Sequence, residues 1–376
     1  MTSDQDSSSI VTGDEFEVDV LRVAHGGHMI AHHDGRTVFV RHALPGERVI
    51  VRVTDVTRRI VRADAIEVLQ WAPERVDPPC SWSGPGGCGG CDFQHVETSA
   101  QHALKSEVLA TSLQRFGGLE GPELEALDLT VHELPGHSDG LRWRSRVTWA
   151  RDPGGVVGLR RHHSHDIVPV DHCLLAREDR DAPGVDLPQG RTEHVRGRSW
   201  AVQEDTFWQV HPHLPEALVA AVLDFGAVAP GETWWDLYAG AGLFAAFIGE
   251  AVGPTGDVVA VEAVHSAVVC GRTALADLDR VRFDESDVPR WLGEGDHEAP
   301  DGVVLDPPRT GAGRELMAIL CEAEIPRIVY VACDPVALAR DVAVARALGY
   351  RLARVRAFDA FPMTHHLETV ALLTRA

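Results

Sequence analysis

The sequence has almost no lysine. Lys105 is the only one in 376 residues, and arginine supplies the rest of the positive charge. Acidic residues outnumber basic ones, 56 against 35, for a formal net charge of −21. That balance excludes a protein that grips nucleic acid by overall charge, because such binders neutralise many phosphates with a broadly basic surface. Any RNA contact must use local basic patches. Arginine suits bidentate phosphate contacts, although a GC-rich genome would produce the same bias. The chain also lacks any apolar run approaching the about 18 residues of a membrane helix. Its polar, acidic start, Met1 to Ile10, lacks the basic and apolar stretches of a signal peptide. These absences predict a cytoplasmic protein with no membrane partner. Its seven cysteines are then free thiols or metal ligands rather than disulfides.

What is present falls into four parts. Residues 1–12 read as a disordered tail. Residues 13–70 alternate apolar and polar, through Phe16, Val18, Val20, then Val38, Val40, then Val49, Val51, Val53, then Ala63 and Ala65. Turns at Gly26-Gly27, Asp34-Gly35 and Pro45-Gly46 punctuate them, so a small β-barrel is predicted. Its later half gathers Arg48, Arg52, Arg58, Arg59 and Arg62. Residues 71–200 form a central part. It holds Cys80, Cys88 and Cys91 in a glycine-rich loop, then a helix capped by Ser99 and stopped by Gly117-Gly118. From Leu141 to Arg161 two strand-like segments carry six arginines with Trp143 and Trp149 interleaved. That stretch fits either an RNA-facing surface or a merely solvated strand face. From residue 201 to 376, helices alternate with apolar strands, the pattern of a doubly wound parallel sheet.

The chemistry-bearing residues cluster at predicted strand tips. Asp236 to Gly242 follows a strand and opens a helix, so the backbone there can approach a ligand closely. Glu262, 20 residues after Gly242, ends the next strand, where an acid can accept hydrogen bonds from both ribose hydroxyls. The missing third glycine argues against a dinucleotide and allows a methyl-donor nucleotide. Asp287 could face its adenine, or could be a plain surface carboxylate. Asp306-Pro307-Pro308-Arg309 and Cys333-Asp334-Pro335 each end a strand, which puts Cys333 on one rim with Asp306 and Glu262. A cysteine at such a tip is a candidate nucleophile. Cys270 and Cys321, in apolar helical stretches, read as inert buried thiols. Cys80, Cys88 and Cys91, spaced C-x7-C-x2-C, with the distant Cys173, make a four-thiolate set that suits zinc or an iron–sulfur cluster; spacing does not choose between them.

Phe207-Trp208-Gln209, Asp236 to Gly242, Asp306 to Arg309, Cys333-Asp334-Pro335 with Leu338-Ala339-Arg340-Asp341, and Asp359 to Glu368 occur in that order. Over nearly its whole length the chain thereby resembles the TRAM-domain RNA 5-methyluridine methyltransferase family. The resemblance implies a Rossmann-like methyltransferase domain that uses S-adenosylmethionine, an OB-like TRAM barrel and a central α+β iron–sulfur domain. It implies that Cys333 attacks C6 of uracil, that C5 takes the methyl group, and that Glu368 removes the C5 proton. Gln209, Tyr238, Glu262 and Asp306 resemble the family's cofactor contacts, and Cys80, Cys88, Cys91 and Cys173 the ligands of a 4Fe-4S cluster. RNA is the implied partner, ribosomal in preference to transfer RNA, bound by a monomer. The chain departs from the family at Leu243 and His211, where Asn is common, and at Asp334, where the family often has Asn. Three other readings compete. A non-catalytic RNA-binding protein would not need both Cys333 and Glu368. A cytosine methyltransferase fits the Phe361 to Glu368 tail less well, and a redox iron–sulfur protein would not need the glycine turn with Glu262.

Overall fold

A computed structural model of the chain describes residues 10–136, 138–179, 190–203, 205–295 and 297–376. Residues 1–9 of the expected tail lie outside the described residues. The chain forms two compact units that interleave in sequence. One comprises Met1–Leu104, Thr148–Leu174 and Pro362–His365, the other Lys105–Val147, Leu175–Phe361 and His366–Ala376.

The first unit opens with β1 (Glu15–Ala24), β2 (His28–His33), β3 (Arg36–Arg41), β4 (Arg48–Val56) and β5 (Val61–Gln70). They close into a barrel in the order β1-β2-β3-β5-β4. Closure leaves no strand edge unpaired. The alternation seen in the sequence becomes inside and outside: Val18, Val20, Val38, Val40, Val49, Val51, Val53 and Ala63 are buried. On the outer face Arg48 pairs with Glu17 and Asp19, Arg52 with Glu15, and Arg62 with Asp55. Three of the five barrel arginines are thus neutralised by neighbours. Where the chain leaves the barrel, buried Glu47 accepts from the amides of Leu44 and Ala72 and holds the Arg75 guanidinium through both its oxygens.

Next come α1 (Thr98–Arg115), α2 (Pro122–Glu125) and β6 (Val131–Glu133). The first helix starts one residue before the expected cap, so Ser99 lies inside it. β7 (Ala150–Arg151), β8 (Val157–Arg160) and β9 (Ile167–Val168) make a small three-stranded sheet. The first of the two strands expected from Leu141 shrinks to β7. Trp143 is fully buried and its indole N–H donates to the Gly140 carbonyl at 3.1 Å. An indole with its polar handle satisfied contributes more by burial than by facing solvent, so Trp143 is core and not part of an RNA-facing surface.

The second unit contains the hairpin β10 (Gly190–Val195) and β11 (Arg198–Gln203), then α3 (Leu214–Gly226). Strands and helices then alternate: β12 (Thr233–Leu237), α4 (Leu243–Val252), β13 (Asp257–Glu262), α5 (His265–Ala274), β14 (Val281–Glu285), α6 (Val288–Glu294), β15 (Gly302–Leu305), α7 (Gly313–Glu322), β16 (Arg327–Ala332) and α8 (Pro335–Ala347). The chain ends with β17 (Tyr350–Asp359) and β18 (Glu368–Arg375). One eight-stranded sheet results, in the order β14-β13-β12-β15-β16-β18-β17-β6. The run from β14 to β16 is parallel, as expected of strands joined by crossover helices. β18 is antiparallel to both β16 and β17, because a loop and not a helix connects it to β17. Apolar layers cover both faces: Phe244, Val258, Ala260 and Val304 on one, Trp235, Leu237, Val259 and Leu305 on the other. Hence β15 is buried at every position. No helix among the described residues is long and apolar enough to cross a membrane.

The solitary lysine sits inside this unit. Lys105, on α1, is 1% exposed and donates from Nζ to Asp359 Oδ1 at 2.5 Å and to the Phe361 carbonyl at 3.1 Å. It therefore fastens the end of β17 and the start of the loop that leads to β18. Removing one partner of a buried pair strands the other charge. Lys105→Met is expected to lower unfolding stability by about 3–5 kcal/mol in urea titrations. Adding Asp359→Leu should recover most of it. A single-variant cost near that of a surface ion pair would show that the pair has no structural weight.

Candidate active site

The register of β18 builds the site. Ala332, the last residue of β16, faces Thr369 of β18, and the Thr369 hydroxyl donates to the Ala332 carbonyl at 2.9 Å. The next residue outward on each strand is Cys333 on one side and Glu368 on the other. Asp306 follows Leu305 at the tip of β15, the neighbour of β16, with its amide bonded to the Leu237 carbonyl at 3.3 Å. Cys333, Glu368 and Asp306 are thus brought to one rim, as the strand-tip pattern predicted for Cys333 and Asp306.

Burial sets their electrostatics. Glu368 is 2% exposed; burial, with Asp306 nearby, raises its pKa well above the usual carboxylate range, while Arg309 pulls the other way. Burial likewise lifts Asp306 to about 7. The Cys333 thiol is pushed up to about 12, first by burial and then by Glu368 and Asp306, against the opposing pull of Arg309. Two carboxyls and a thiol share a poorly solvated space with one guanidinium, so the protonated forms are favoured. Asp334 adds a smaller push on the Cys333 thiol but is engaged elsewhere. Its carboxylate caps α8, accepting from the amides of Val336 and Ala337 at 2.9 and 2.8 Å. Aspartate thus does the capping at the position where the family often has Asn.

Beside this group lies the glycine turn. Gly242 has φ of +76°, and a Cβ there would meet Phe283 Cζ at 2.6 Å, so only glycine lets α4 start against β14. At Gly240 a Cβ would meet nothing within 4 Å, so the turn opens onto free space. Glu262 ends β13 and accepts from the amides of Gly240 and Val264, each at 2.8 Å. Each carboxylate oxygen keeps acceptor capacity beyond these bonds. Tyr238, at φ +61°, begins the turn, and Asp287 lies close enough to help raise its phenol to about 12, after burial. Asp287 is exposed and caps α6 through a weak 3.4 Å bond from the Arg290 amide. Gln209 is 9% exposed, with its amide 3.5 Å from Asp306 Oδ2. Gln209 thus reaches Asp306, and Asp287 lies near Tyr238, at the strand ends that also carry Glu262, Cys333 and Glu368. His211 is buried against Trp143, with ring centroids 6.0 Å apart.

Asp236 and Arg309 had no role assigned from sequence. Asp236 is fully buried; burial lifts it to about 8, and it accepts from the Ala245 amide at 2.8 Å. Arg309 is the cation whose field favours the Cys333 thiolate. Being the only arginine in the Asp306-Pro-Pro-Arg run was its one sequence signal.

The four cysteines belong to the other unit. Cys80, Cys88 and Cys91 are partly exposed and Cys173 is buried. Cys173 lies near enough to raise the Cys80 thiol, though burial of Cys80 is the larger cause. Cys88 Sγ accepts from the Gly90 amide and Cys91 Sγ from the Gln94 side-chain amide, both at 3.4 Å. The loop is packed tightly: a Cβ on Gly89 would lie 2.4 Å from the His162 amide nitrogen. Among the described residues no group of three or more His, Cys, Asp or Glu is disposed around a single metal ion. Cys270 and Cys321 are buried thiols in α5 and α7, as expected.

Comparison with known proteins decides the family. Residues 11–66 match the TRAM domain, and residues 296–376 match the tRNA (Uracil-5-)-methyltransferase family. An RNA methyltransferase of Streptomyces avermitilis is 40% identical over 97% of this chain and 99% of its own length. The chain belongs to the TRAM-domain RNA (uracil-5-)-methyltransferase family. Another member, the 23S rRNA (uracil(1939)-C(5))-methyltransferase RlmD of Alkalilimnicola ehrlichii, is 32% identical over 96% of each chain. The crystal structure of Pyrococcus abyssi tRNA (uracil-54, C5)-methyltransferase, in complex with S-adenosyl-L-homocysteine, shares the fold. Its TM-score is 0.70 at 21% identity, over 95% of this chain and 99% of that one.

The raised Cys333 pKa has a direct chemical readout. Thiolate is the alkylating form, so iodoacetamide should label Cys333 slowly at pH 7 and faster as pH rises toward 12. Asp306→Asn, by removing a negative neighbour, should lower that pKa and speed labelling at pH 8. Peptide mass spectrometry resolves Cys333 from the other six thiols. Labelling at the rate of a free thiol at pH 7 would mean that burial does not hold Cys333 protonated.

Proposed function

We propose that this protein forms 5-methyluridine in RNA, using S-adenosylmethionine as methyl donor, Cys333 as nucleophile and Glu368 as base. The observation that carries the reading is the antiparallel register that sets Cys333 beside Glu368 at the mouth of the glycine turn. Gln209, Tyr238, Glu262, Asp287 and Asp306 are the residues proposed to hold the donor. The turn's open space at Gly240 and the spare acceptor capacity of Glu262 fit a nucleoside there. When bound, S-adenosylmethionine supplies an electrophilic methyl group on a sulfonium, whose sulfur departs as a neutral thioether when the methyl is given up.

C5 of uracil is too poor a nucleophile to take that methyl unaided. Cys333 gives its proton to solvent, the thiolate being favoured by Arg309, and its sulfur bonds to C6 while the C5=C6 electron pair moves toward the O4 carbonyl, so C5 becomes enolate-like. After C5 is methylated it still bears its proton. Glu368 takes that proton, the C5=C6 double bond re-forms, and the C6–S bond breaks to release Cys333. Glu368 acts in its ionised form, which Arg309 favours; once burial has raised its pKa, that carboxylate is a stronger base than an exposed one. The pair Cys333 and Glu368 separates this reading from a fold-retaining RNA binder. The target uridine must leave any stack to reach Cys333.

The proposed substrate is ribosomal RNA in the cytoplasm, supported by the likeness to the ribosomal enzyme over nearly all of both chains. The chain is read as a monomer with a barrel over 13–70, a central stretch over 71–200 that contributes to both compact units, and a catalytic part over 201–376. A 4Fe-4S cluster on Cys80, Cys88, Cys91 and Cys173 is also proposed. All four thiols lie in one unit, three of them in a loop whose glycines permit tight wrapping. A cluster is larger than one zinc ion, whose thiolates each sit about 2.3 Å from the metal, so its ligands stand further apart. A cluster there would shape the fold and would take no part in methyl transfer.

Incubation with S-adenosylmethionine and ribosomal RNA, followed by digestion and mass spectrometry, should reveal 5-methyluridine. Cys333→Ala should abolish it, and retained activity would refute the mechanism. Glu368→Gln should accumulate a covalent protein–RNA adduct that survives denaturing electrophoresis. Anaerobically purified protein should contain iron and sulfide in equal amounts; stoichiometric zinc instead would overturn the cluster.

A further inference from the structure

A groove runs down the second unit away from the active rim. Two adjoining cavities of about 660 and 590 Å³ share Phe116, Ala343 and Ala347 in their walls. The groove lies between the chain just after α1 and the outer faces of α7 and α8. Its floor is apolar, with Phe116 43% exposed, too open for a core aromatic. Its walls carry Arg314 and Arg340 at one end and Arg115, Arg346 and Arg351 at the other. The side-chain carboxylates that line it are already engaged. Asp341 accepts from the Tyr330 hydroxyl and from the amides of Ala312 and Gly313, and Glu123 holds Arg346. With Arg346 held by Glu123, Arg115, Arg314, Arg340 and Arg351 still make this groove locally positive in a chain of net charge −21. The Arg340 guanidinium lies over the Phe116 ring, 5.7 Å from its centroid, so a base reaching the ring would stack on an arginine–aromatic pair.

We propose that this groove binds single-stranded RNA flanking the reacting nucleotide. The proposal rests on the RNA methyltransferase reading above. Arginines attract phosphates, and an open aromatic face takes a base of any sequence. The groove also begins at the right place. Thr310 lies four residues beyond Asp306, and α8, which opens two residues after Cys333, carries Arg340 five residues beyond Pro335, about 7.5 Å along its axis at 1.5 Å per helical residue. RNA leaving the rim would meet Arg314 and Arg340 first and Phe116 next. An acidic peptide would satisfy the arginines but has no use for an open stacking face.

The test is binding, which requires no turnover. Fluorescence anisotropy on the full chain would use labelled single-stranded RNA of about twelve nucleotides. The double variant Arg314→Glu/Arg340→Glu should weaken binding about tenfold or more at low salt and flatten the salt dependence by roughly one to two contacts. Phe116→Leu, which keeps the apolar volume but loses the ring, should weaken it about fivefold or more with the salt dependence unchanged. Arg280→Glu/Arg282→Glu, at the exposed β14 edge, adds the same negative charge elsewhere and should have the smaller effect. Thermal midpoints check that each variant folds. Equal losses in the groove and control variants would overturn the proposal. So would polyglutamate displacing RNA from the wild type as well as unlabelled RNA does, since that marks an acidic-peptide groove. Failure of the methyltransferase reading would show separately, as wild-type protein that makes no 5-methyluridine.

Discussion

The active rim depends on one register. β18 lies antiparallel against β16 with Ala332 opposite Thr369, which sets Cys333 and Glu368 side by side. A slip of one residue would turn Glu368 to the other face of the sheet, because side chains alternate. The register is held at its rim end. Thr369 bonds to Ala332 across the strands, and Lys105 grips the end of β17 and the start of the connecting loop from inside the core. An ion pair far from chemistry in sequence thereby helps to position the residue proposed as base.

The same burial that brings these groups together makes them reluctant to ionise. Asp236 is lifted to about 8 and Asp306 to about 7, and Glu368 is raised too. Each binds its proton more tightly in the folded chain than in the unfolded one, where a carboxyl titrates near 4. The folded state therefore loses stability as pH rises from that range through about 7 to 8. A site of this kind is built at the expense of stability, and the apolar layers on both faces of the sheet must offset it. Arg309 moderates the cost by supplying one positive charge to the rim.

Much of the fold was legible. Alternating valines marked the barrel, and β15 and β16 fell where apolar runs end in Asp-Pro-Pro and Cys-Asp-Pro. Periodicity and turn chemistry are local, so they survive without tertiary context. Legibility failed where a segment's fate depended on distant partners. Trp143 read as a surface aromatic among arginines, yet the Gly140 carbonyl and the second unit's core claimed it. The barrel arginines read as a basic strip, yet Arg48, Arg52 and Arg62 face acids on neighbouring strands.

By itself the sequence determined the kinds of chemistry available: a thiol and acids at strand tips, a glycine turn with an acid after the next strand, and three close cysteines with a fourth far away. These follow from residue type and spacing, and they carried the family resemblance. Only the tertiary structure decided that the final hairpin reverses direction, that Glu368 is nearly waterless beside Cys333, and that the solitary lysine is a buried anchor. Those outcomes depend on strand register and on which carboxylates share a space. Both are set by contacts between residues hundreds of positions or only a few positions apart, and no local pattern tells the two cases apart.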